Sequence, residues 1–406
     1  MSFSPTASDG PSRVACPGGA LRIVHVIGSL REGGAEGQLV LLLGQLRARG
    51  HEQALCILRR EGARLAAVEA LGVPIIDLGF PLLRPPWNPA AWWRLLACLA
   101  RTRRVLRAQR PDVVHGWLFE AYVWAALALR LGGGGAPLVT SRRQLGTFRE
   151  GRCWMERAQA FANRRTAIVI ANSEAVAADA RAREGASLPP VRVVPNGLDL
   201  AALDAAPAAD LRALFPALAD ADSITICVAT LVASKGWFDL LAAWRTVTAQ
   251  HPRAGLLCVG ADGGARTALE QAAAGLSRVA VAGPRNDVAS LLKGADLSVL
   301  PSHEEGMPNS VIEAMAARLA VVATRVGGIP ELVLEGSTGL LVPPRSPAAL
   351  AEALCALIGN PGRRTAMGKV GRERARLRHG LAAFADGHVE AYRAAATPSH
   401  SSRGPA

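Results

Sequence analysis

The stretch Ala295–Arg318, ADLSVLPSHEEGMPNSVIEAMAAR, decides how the rest of the chain is read. Ala295–Ser302 is an apolar run of strand length, and Ser310–Arg318 has the spacing of the helix that follows it. The loop between them carries Glu304, Glu305, Gly306 and Pro308. In an open parallel sheet such a loop lies in the crevice at the carboxyl ends of the strands, where ligands bind. The free backbone N–H groups of the incoming helix, at Asn309, Ser310 and Val311, attract an anion such as phosphate.

Glu305 in the loop and Glu313 in the first helical turn have seven residues between them. Their carboxylates can flank one ligand and accept from its hydroxyls while the intervening amides hold phosphate, and sugar nucleotides combine a polyol with a diphosphate. A plainer reading stands beside this one. Ser310-x-x-Glu313 is a capping box, which by itself accounts for Glu313.

The string Glu305–Ala316, EGMPNSVIEAMA, resembles the Glu-x7-Glu signature of retaining glycosyltransferases of family 4. The resemblance implies the GT-B fold, an α/β architecture of two Rossmann-like domains facing each other across a donor-binding cleft. It also implies that Glu305 approaches the donor sugar, that Glu313 holds the ribose, and that Met307, Asn309 and Ser310 line the donor site. Gly33-Gly34-Ala35-Glu36, after the strand Leu21–Ile27, resembles the family's first-domain loop facing the donor, and its glycines allow close backbone approach. Lys235-Gly236, after the strand Ser223–Ala229, matches a diphosphate-binding lysine, but Thr230 stands where the family has an arginine five residues earlier. Ser141-Arg142-Arg143 occupies the place of a family histidine. Arg142 or Arg143 can supply a cation instead, because a guanidinium binds phosphate bidentately; two surface arginines are the alternative. Pro195–Asp199 resembles the family's hinge, and Gly327–Glu331 a turn shaping the donor pocket.

Repeating strand and helix patterns fill the chain. They divide it into a disordered start (1–20), an acceptor-side domain (21–196), a hinge and Ala-rich linker (197–222), a donor domain (223–378), a helix crossing back (379–396) and a disordered tail (397–406). The basic helices Arg363–Arg378 and Leu381–Ala395 are both expected to return to the first domain. At the first domain's crevice edge His115, Trp117, Glu120 and Arg143 are the acceptor-side candidates.

The formal charge of +13 is uneven: residues 1–200 hold 26 arginines and 15 acidic residues, the remainder 20 basic and 18 acidic. An anionic partner is implied. Basic-aromatic interleaving and nucleic-acid modules are missing, so a membrane surface is favoured over nucleic acid. Ala90–Gln109, with Trp92 and Trp93 ahead of Arg101, Arg103, Arg104 and Arg107, can lie on an anionic bilayer or pack as an ordinary amphipathic helix. The seven cysteines form no C-x-x-C pair, which fits a reducing cytoplasm and no structural zinc. Asp9 and Arg13 interrupt any signal-peptide core, and Glu120 interrupts the apolar run Trp117–Leu129, which is too short to span a bilayer. Asp220-x-Asp222 resembles a metal-binding pair but precedes a strand without supporting ligands, and it reads as a solvated turn.

The expected protein is thus a cytoplasmic enzyme, peripheral at the inner face of a bacterial membrane. It moves a sugar with retention from a nucleoside diphosphate sugar to a lipid-linked saccharide or polysaccharide, with Glu305, Lys235 and Arg142 as catalytic candidates, no cofactor and no metal. A weak or inactive GT-B protein that binds a nucleotide sugar or a partner enzyme is the alternative, resting on Thr230 and the absent histidine. An epimerase on the same fold is opposed by the Glu305 loop.

Overall fold

The computed structural model describes residues 19–81 and 89–397. The expected disordered start through residue 18, most of the Pro-rich loop before Pro89 and the tail from residue 398 lie outside them.

Strand and helix alternate from the start: β1 (Arg22–Ile27), α1 (Gly34–Ala48), β2 (Glu52–Ile57), α2 (Leu65–Ala70), β3 (Ile75–Asp77), α3 (Pro89–Gln109), β4 (Val113–Gly116), α4 (Leu118–Arg130), β5 (Leu138–Arg142), α5 (Cys153–Asn163), β6 (Thr166–Ala171), α6 (Glu174–Glu184) and β7 (Val191–Val193). The strands form one parallel sheet in the order β3-β2-β1-β4-β5-β6-β7. Strand side chains alternate between faces. Ile23, Ile27, Val113 and Ile170 therefore lie in the apolar cluster on the α1 face, whereas Val24, Val26, Val114 and Leu138 lie in the cluster shared with α3 and α4.

The expected linker folds into short helices α7 (Leu200–Ala205) and α8 (Leu211–Leu214), capped by Asp199 and Asp210. The second parallel sheet contains β8 (Ser223–Val228), β9 (Ala254–Val259), β10 (Val279–Ala282), β11 (Leu297–Leu300), β12 (Val321–Thr324) and β13 (Gly339–Val342), in the order β10-β9-β8-β11-β12-β13. Its helices are α9 (Trp237–Gln250), α10 (Arg266–Ala273), α11 (Val288–Gly294), α12 (Asn309–Ala316), α13 (Ile329–Leu332), α14 (Pro347–Ile358) and α15 (Pro361–Arg378). The order in which strands are added reverses between β1 and β4 in one sheet and between β8 and β11 in the other. Those are the points where a doubly wound sheet opens a crevice.

The final helix α16 (Leu381–Ala396) crosses back to the first domain, where Phe384, Val389 and Tyr392 join the core under α1. Helix α15 does not cross. It packs on α12 and α14 of the second domain, so the expectation that both basic helices return is corrected. Met367 and Ala375 on its buried face meet that domain's apolar clusters.

Candidate active site

Three loops, following β8, β11 and β12, meet at the carboxyl edge of the second sheet. Gly236 holds φ +71°, and a Cβ there would stand 2.0 Å from the carbonyl oxygen of Pro301. Only glycine lets the Lys235 loop pass under Pro301. His303 N–H donates to Ser234 O (2.8 Å), and the His303 ring meets Asp239 at 2.7 Å. So fastened, Lys235 Nζ donates to Glu305 Oε1 at 2.6 Å, and Ser302 Oγ donates to the same oxygen at 2.7 Å. Glu305 is buried, and its Oε2 accepts no hydrogen bond among the described residues.

The Glu305 loop is sandwiched between two other backbones. A Cβ on Gly327 would meet Glu305 O at 1.7 Å, one on Gly328 would meet Gly306 O at 2.2 Å, and one on Gly306 would meet Arg143 O at 2.3 Å. Gly328 N–H also donates to Gly306 O (2.9 Å). The loop's position is thereby set from both domains.

Helix α12 is capped by Pro308 with no side-chain hydrogen bond, so the Ser310–Glu313 capping box does not form. Ser310 and Glu313 are half-buried in its first turns. Burial pushes the Glu313 carboxyl above its usual range, and the charge of Arg64 in the first domain opposes this. The Arg64 guanidinium lies over Gly37 of α1, with its Nε buried and without a partner. Gly33 leaves room for the Glu36 carboxylate to fold back over the α1 terminus, where burial raises its pKa against its own backbone hydrogen bond and the charges of Arg64, Arg143 and Arg31.

Cross-crevice hydrogen bonds use several expected donor residues. Asn196 Nδ2 donates to Met307 O (3.0 Å) and Asn309 Oδ1 (2.7 Å), Gln38 Nε2 reaches Asn309 Oδ1 (3.3 Å), and Asn309 Nδ2 donates to Gly34 O (3.2 Å). Ser173 Oγ donates to Gly306 O (3.1 Å), and Thr147 meets Glu304. Glu331 of the second domain accepts from Glu174 N–H (3.0 Å) and Ala175 N–H (2.8 Å), at the start of α6 in the first.

Three sequence expectations are corrected. Arg142, expected to reach the donor, is buried in a network. It donates to both Glu184 oxygens (3.3 and 3.2 Å), Thr140 (3.1 Å) and Asn163 (3.0 Å), and it covers the Tyr122 ring. Arg149 shares the same carboxylate at 3.1 Å. His115 and Trp117, expected at the acceptor side, are fully buried under α16. The His115 ring contacts Tyr392 Oη (2.7 Å) and Ser141 Oγ (2.8 Å), and Trp117 stacks parallel to His388. Strand alternation aims both residues into the core rather than along the crevice.

Glu120 is exposed and forms a bidentate pair with Arg59 (2.8 and 2.6 Å). Arg143 is buried over the Trp117 ring, donates from Nη2 to Asn196 Oδ1 (2.6 Å) and leaves Nη1 without a partner. Burial lowers its pKa to about 10, so it remains a cation at neutral pH. Thr230 is exposed and makes its contact through its carbonyl, which accepts from Trp237 Nε1 (3.0 Å). Asp220 and Asp222 pair with Arg278 and Arg253. Among the described residues no three His, Cys, Asp or Glu side chains are grouped to hold a metal ion.

Sequence reasoning missed Arg64, Gln38, Glu184 and the cross-domain reach of Glu331. Gln38 alone carried a signal, as a polar residue on the apolar face of α1 beside Leu39 and Leu42.

Residues 32–202 match Glycosyltransferase Family 4, and residues 222–360 match Glycosyl transferases group 1. A D-inositol 3-phosphate glycosyltransferase from Kineococcus radiotolerans is 33% identical over 258 residues, 58% of this chain and 59% of that protein. One from Segniliparus rotundus is 32% identical over 235 residues, 56% and 52% of the two chains, so the chain spans little more than half the length of these curated relatives. The crystal structure of Anabaena Alr3699/HepE in complex with UDP-glucose superposes with a TM-score of 0.79 at 23% identity, covering 92% of this chain and 99% of that one. Sucrose-phosphate synthase from Thermosynechococcus elongatus superposes with a TM-score of 0.74 at 22% identity, covering 92% and 98%.

Proposed function

Since the chain is a GT-B glycosyltransferase that joins a family 4 domain to a group 1 domain, we propose that it transfers a sugar with retention from a nucleoside diphosphate sugar to a hydroxyl acceptor. The observation that carries this reading is the Lys235–Glu305 pair beside the α12 N-terminus. UDP and UDP-glucose in the HepE structures support a nucleotide donor.

In this reading the donor's C1–O bond to the diphosphate breaks while the acceptor oxygen bonds to C1 on the same face. The acceptor proton passes to the departing phosphate oxygen. Lys235 and the free N–H groups of α12 stabilise the charge that develops on the diphosphate, where fixed donors act most strongly. Arg143 Nη1 supplies the second cation in place of the arginine replaced by Thr230. Glu305 Oε2 accepts from the sugar's hydroxyls, and Glu313 from the ribose. The acceptor is a lipid-linked saccharide or polysaccharide, met by a cytoplasmic protein that is peripheral at a membrane.

The test is acceptor-dependent release of nucleoside diphosphate. Glu305→Gln should lower turnover ten- to a hundredfold, equivalent to about 1.4–3 kcal/mol of transition-state stabilisation. Wild-type turnover retained in that variant overturns the assignment. Thr230 supports a second reading, a nucleotide-sugar-binding protein without transfer, and donor binding without turnover in the wild type would select it.

A further inference from the structure

In a parallel sheet the connecting helices run antiparallel to the strands, so their N-termini stand at the carboxyl, crevice-facing edge. Helices α3, α4 and α5 lie side by side on one sheet face in a shared apolar cluster. Their N-terminal ends carry aromatics in solvent. Trp92, Trp93 and Leu96 on α3 are 51%, 73% and 55% exposed, and Trp154 on α5 is 65% exposed. Between them Phe119 of α4 meets Phe148 and Trp154 edge-on, with ring centroids at 5.8 and 6.4 Å. Adjacent helix axes are about 8–10 Å apart, so the row spans roughly 20 Å. Four large apolar side chains in solvent along one edge form a patch of the kind that marks a docking surface.

Charge names the occupant. Helix α3 contains no acidic residue and five arginines. The acidic side chains near this edge are already paired, Glu120 with Arg59, Glu150 with Arg183 and Glu156 with Arg149. Arg94 beside Trp93 and Arg152 beside Trp154 are exposed and form no ion pair among the described residues. Amphipathic tryptophans next to unpaired arginines suit the interface of an anionic bilayer. No helix of the described residues is long and apolar enough to cross one.

We propose that this edge, through Trp92, Trp93, Leu96 and Trp154 with Arg94 and Arg152, seats on an anionic lipid surface so that the crevice mouth faces the membrane. The inference deepens the reading of a lipid-linked acceptor and rests on it. It differs from docking α3 flat along its length. On α3 the exposed large apolar residues stand with Arg94 at the N-terminal end, and Arg101, Arg104 and Arg107 lie about 12–21 Å beyond Trp93 at 1.5 Å per residue. That is further than the Debye length of about 8 Å at physiological salt. Seated on its tip, the helix keeps those arginines out of effective reach. Trp154, on a different helix, enters the contact.

The experiment is co-sedimentation of the full chain with vesicles of phosphatidylcholine and phosphatidylglycerol, together with quenching of tryptophan emission by bromine-labelled acyl chains. Trp93→Glu and Trp154→Glu should each lower partitioning at least tenfold and reduce quenching. The triple change Arg101→Gln, Arg104→Gln, Arg107→Gln should lower it less than threefold. Wild-type protein that ignores anionic vesicles at low salt overturns docking, and a triple change more damaging than Trp154→Glu overturns the orientation. Calorimetric donor binding, measured on the same proteins without vesicles, should be unchanged in all variants. It separates failed docking from misfolding and from failure of the glycosyltransferase reading.

Discussion

Arg142 and Arg143 are neighbours at the end of β5, and strand alternation sends them to opposite faces. Arg142 enters the layer under α4–α6 and anchors Glu184, whereas Arg143 turns toward Trp117 and Asn196 with Nη1 unspent. Sequence reading set Arg142 as the catalytic candidate and Arg143 at the acceptor side, and it could not see which face borders the crevice, because that depends on where the second domain sits. Arg143→Ala should reduce turnover ten- to a hundredfold, through loss of one charged hydrogen bond of about 1.5–3 kcal/mol, and Thr230→Arg should restore part of it. Arg142→Ala should instead show its cost in a lower thermal midpoint. Turnover kinetics on the two variants, with and without Thr230→Arg, check this, and equal turnover in wild type and Arg143→Ala would contradict it. Glu305 and Lys235 were each legible as a candidate because each follows a strand in a string with glycine beside it; their hydrogen bond was not, because it joins two loops 70 residues apart. His115 and Trp117 were misplaced for the reason that separates the arginines: their side chains follow the strand's alternation into the core.

Most elements were legible from apolar periodicity: the strands expected at Leu21–Ile27 and Ser223–Ala229 are β1 and β8 to within one residue. Helix α5 was not, since its buried face is no clean apolar stripe: it includes Gln159 and Asn163, which serve the Glu184 network. Strand β13 is four residues opening on a glycine, too short to show a period. The start of α6 shows how an element can belong to two domains. Its free N–H groups are met by Ser173 from its own chain segment and by Glu331 from across the crevice. A carboxylate at a helix N-terminus contributes roughly 0.3–2 kcal/mol. Glu331→Ala should therefore loosen the seating of one domain on the other, seen as a larger radius of gyration in solution scattering and weaker donor affinity. An unchanged scattering profile and affinity would reduce Glu331 to a local cap.

At the scale of the whole molecule, α16 seals the first domain over a cluster of buried imidazoles. Burial lowers the pKa of His25 and His388 to about 3, and that of His115 well below its ordinary value. In the folded protein they stay neutral where the unfolded chain, titrating near 6.5, takes up protons. Unfolding therefore binds protons between about pH 3 and 6.5, so stability is full above that window and is lost as pH falls through it, by up to about 1.4 kcal/mol per pH unit for each histidine. Urea midpoints should drop from pH 7 to pH 5, and His388→Phe should make the drop shallower. A midpoint flat across that range would show that the cluster admits protons while folded. The return of α16 to the first domain was expected, but the buried imidazoles it covers there were not, because that docking depends on a partner surface far away in the chain. That return also bears on how the protein is made. Phe384 and Tyr392 lie in the core of the domain that begins at β1, so the portion leaving the ribosome first has a gap in its interior until the second domain and then α16 have been made. Domains of nascent chains usually fold in order of synthesis; here the earlier domain is finished only after the later one has been translated.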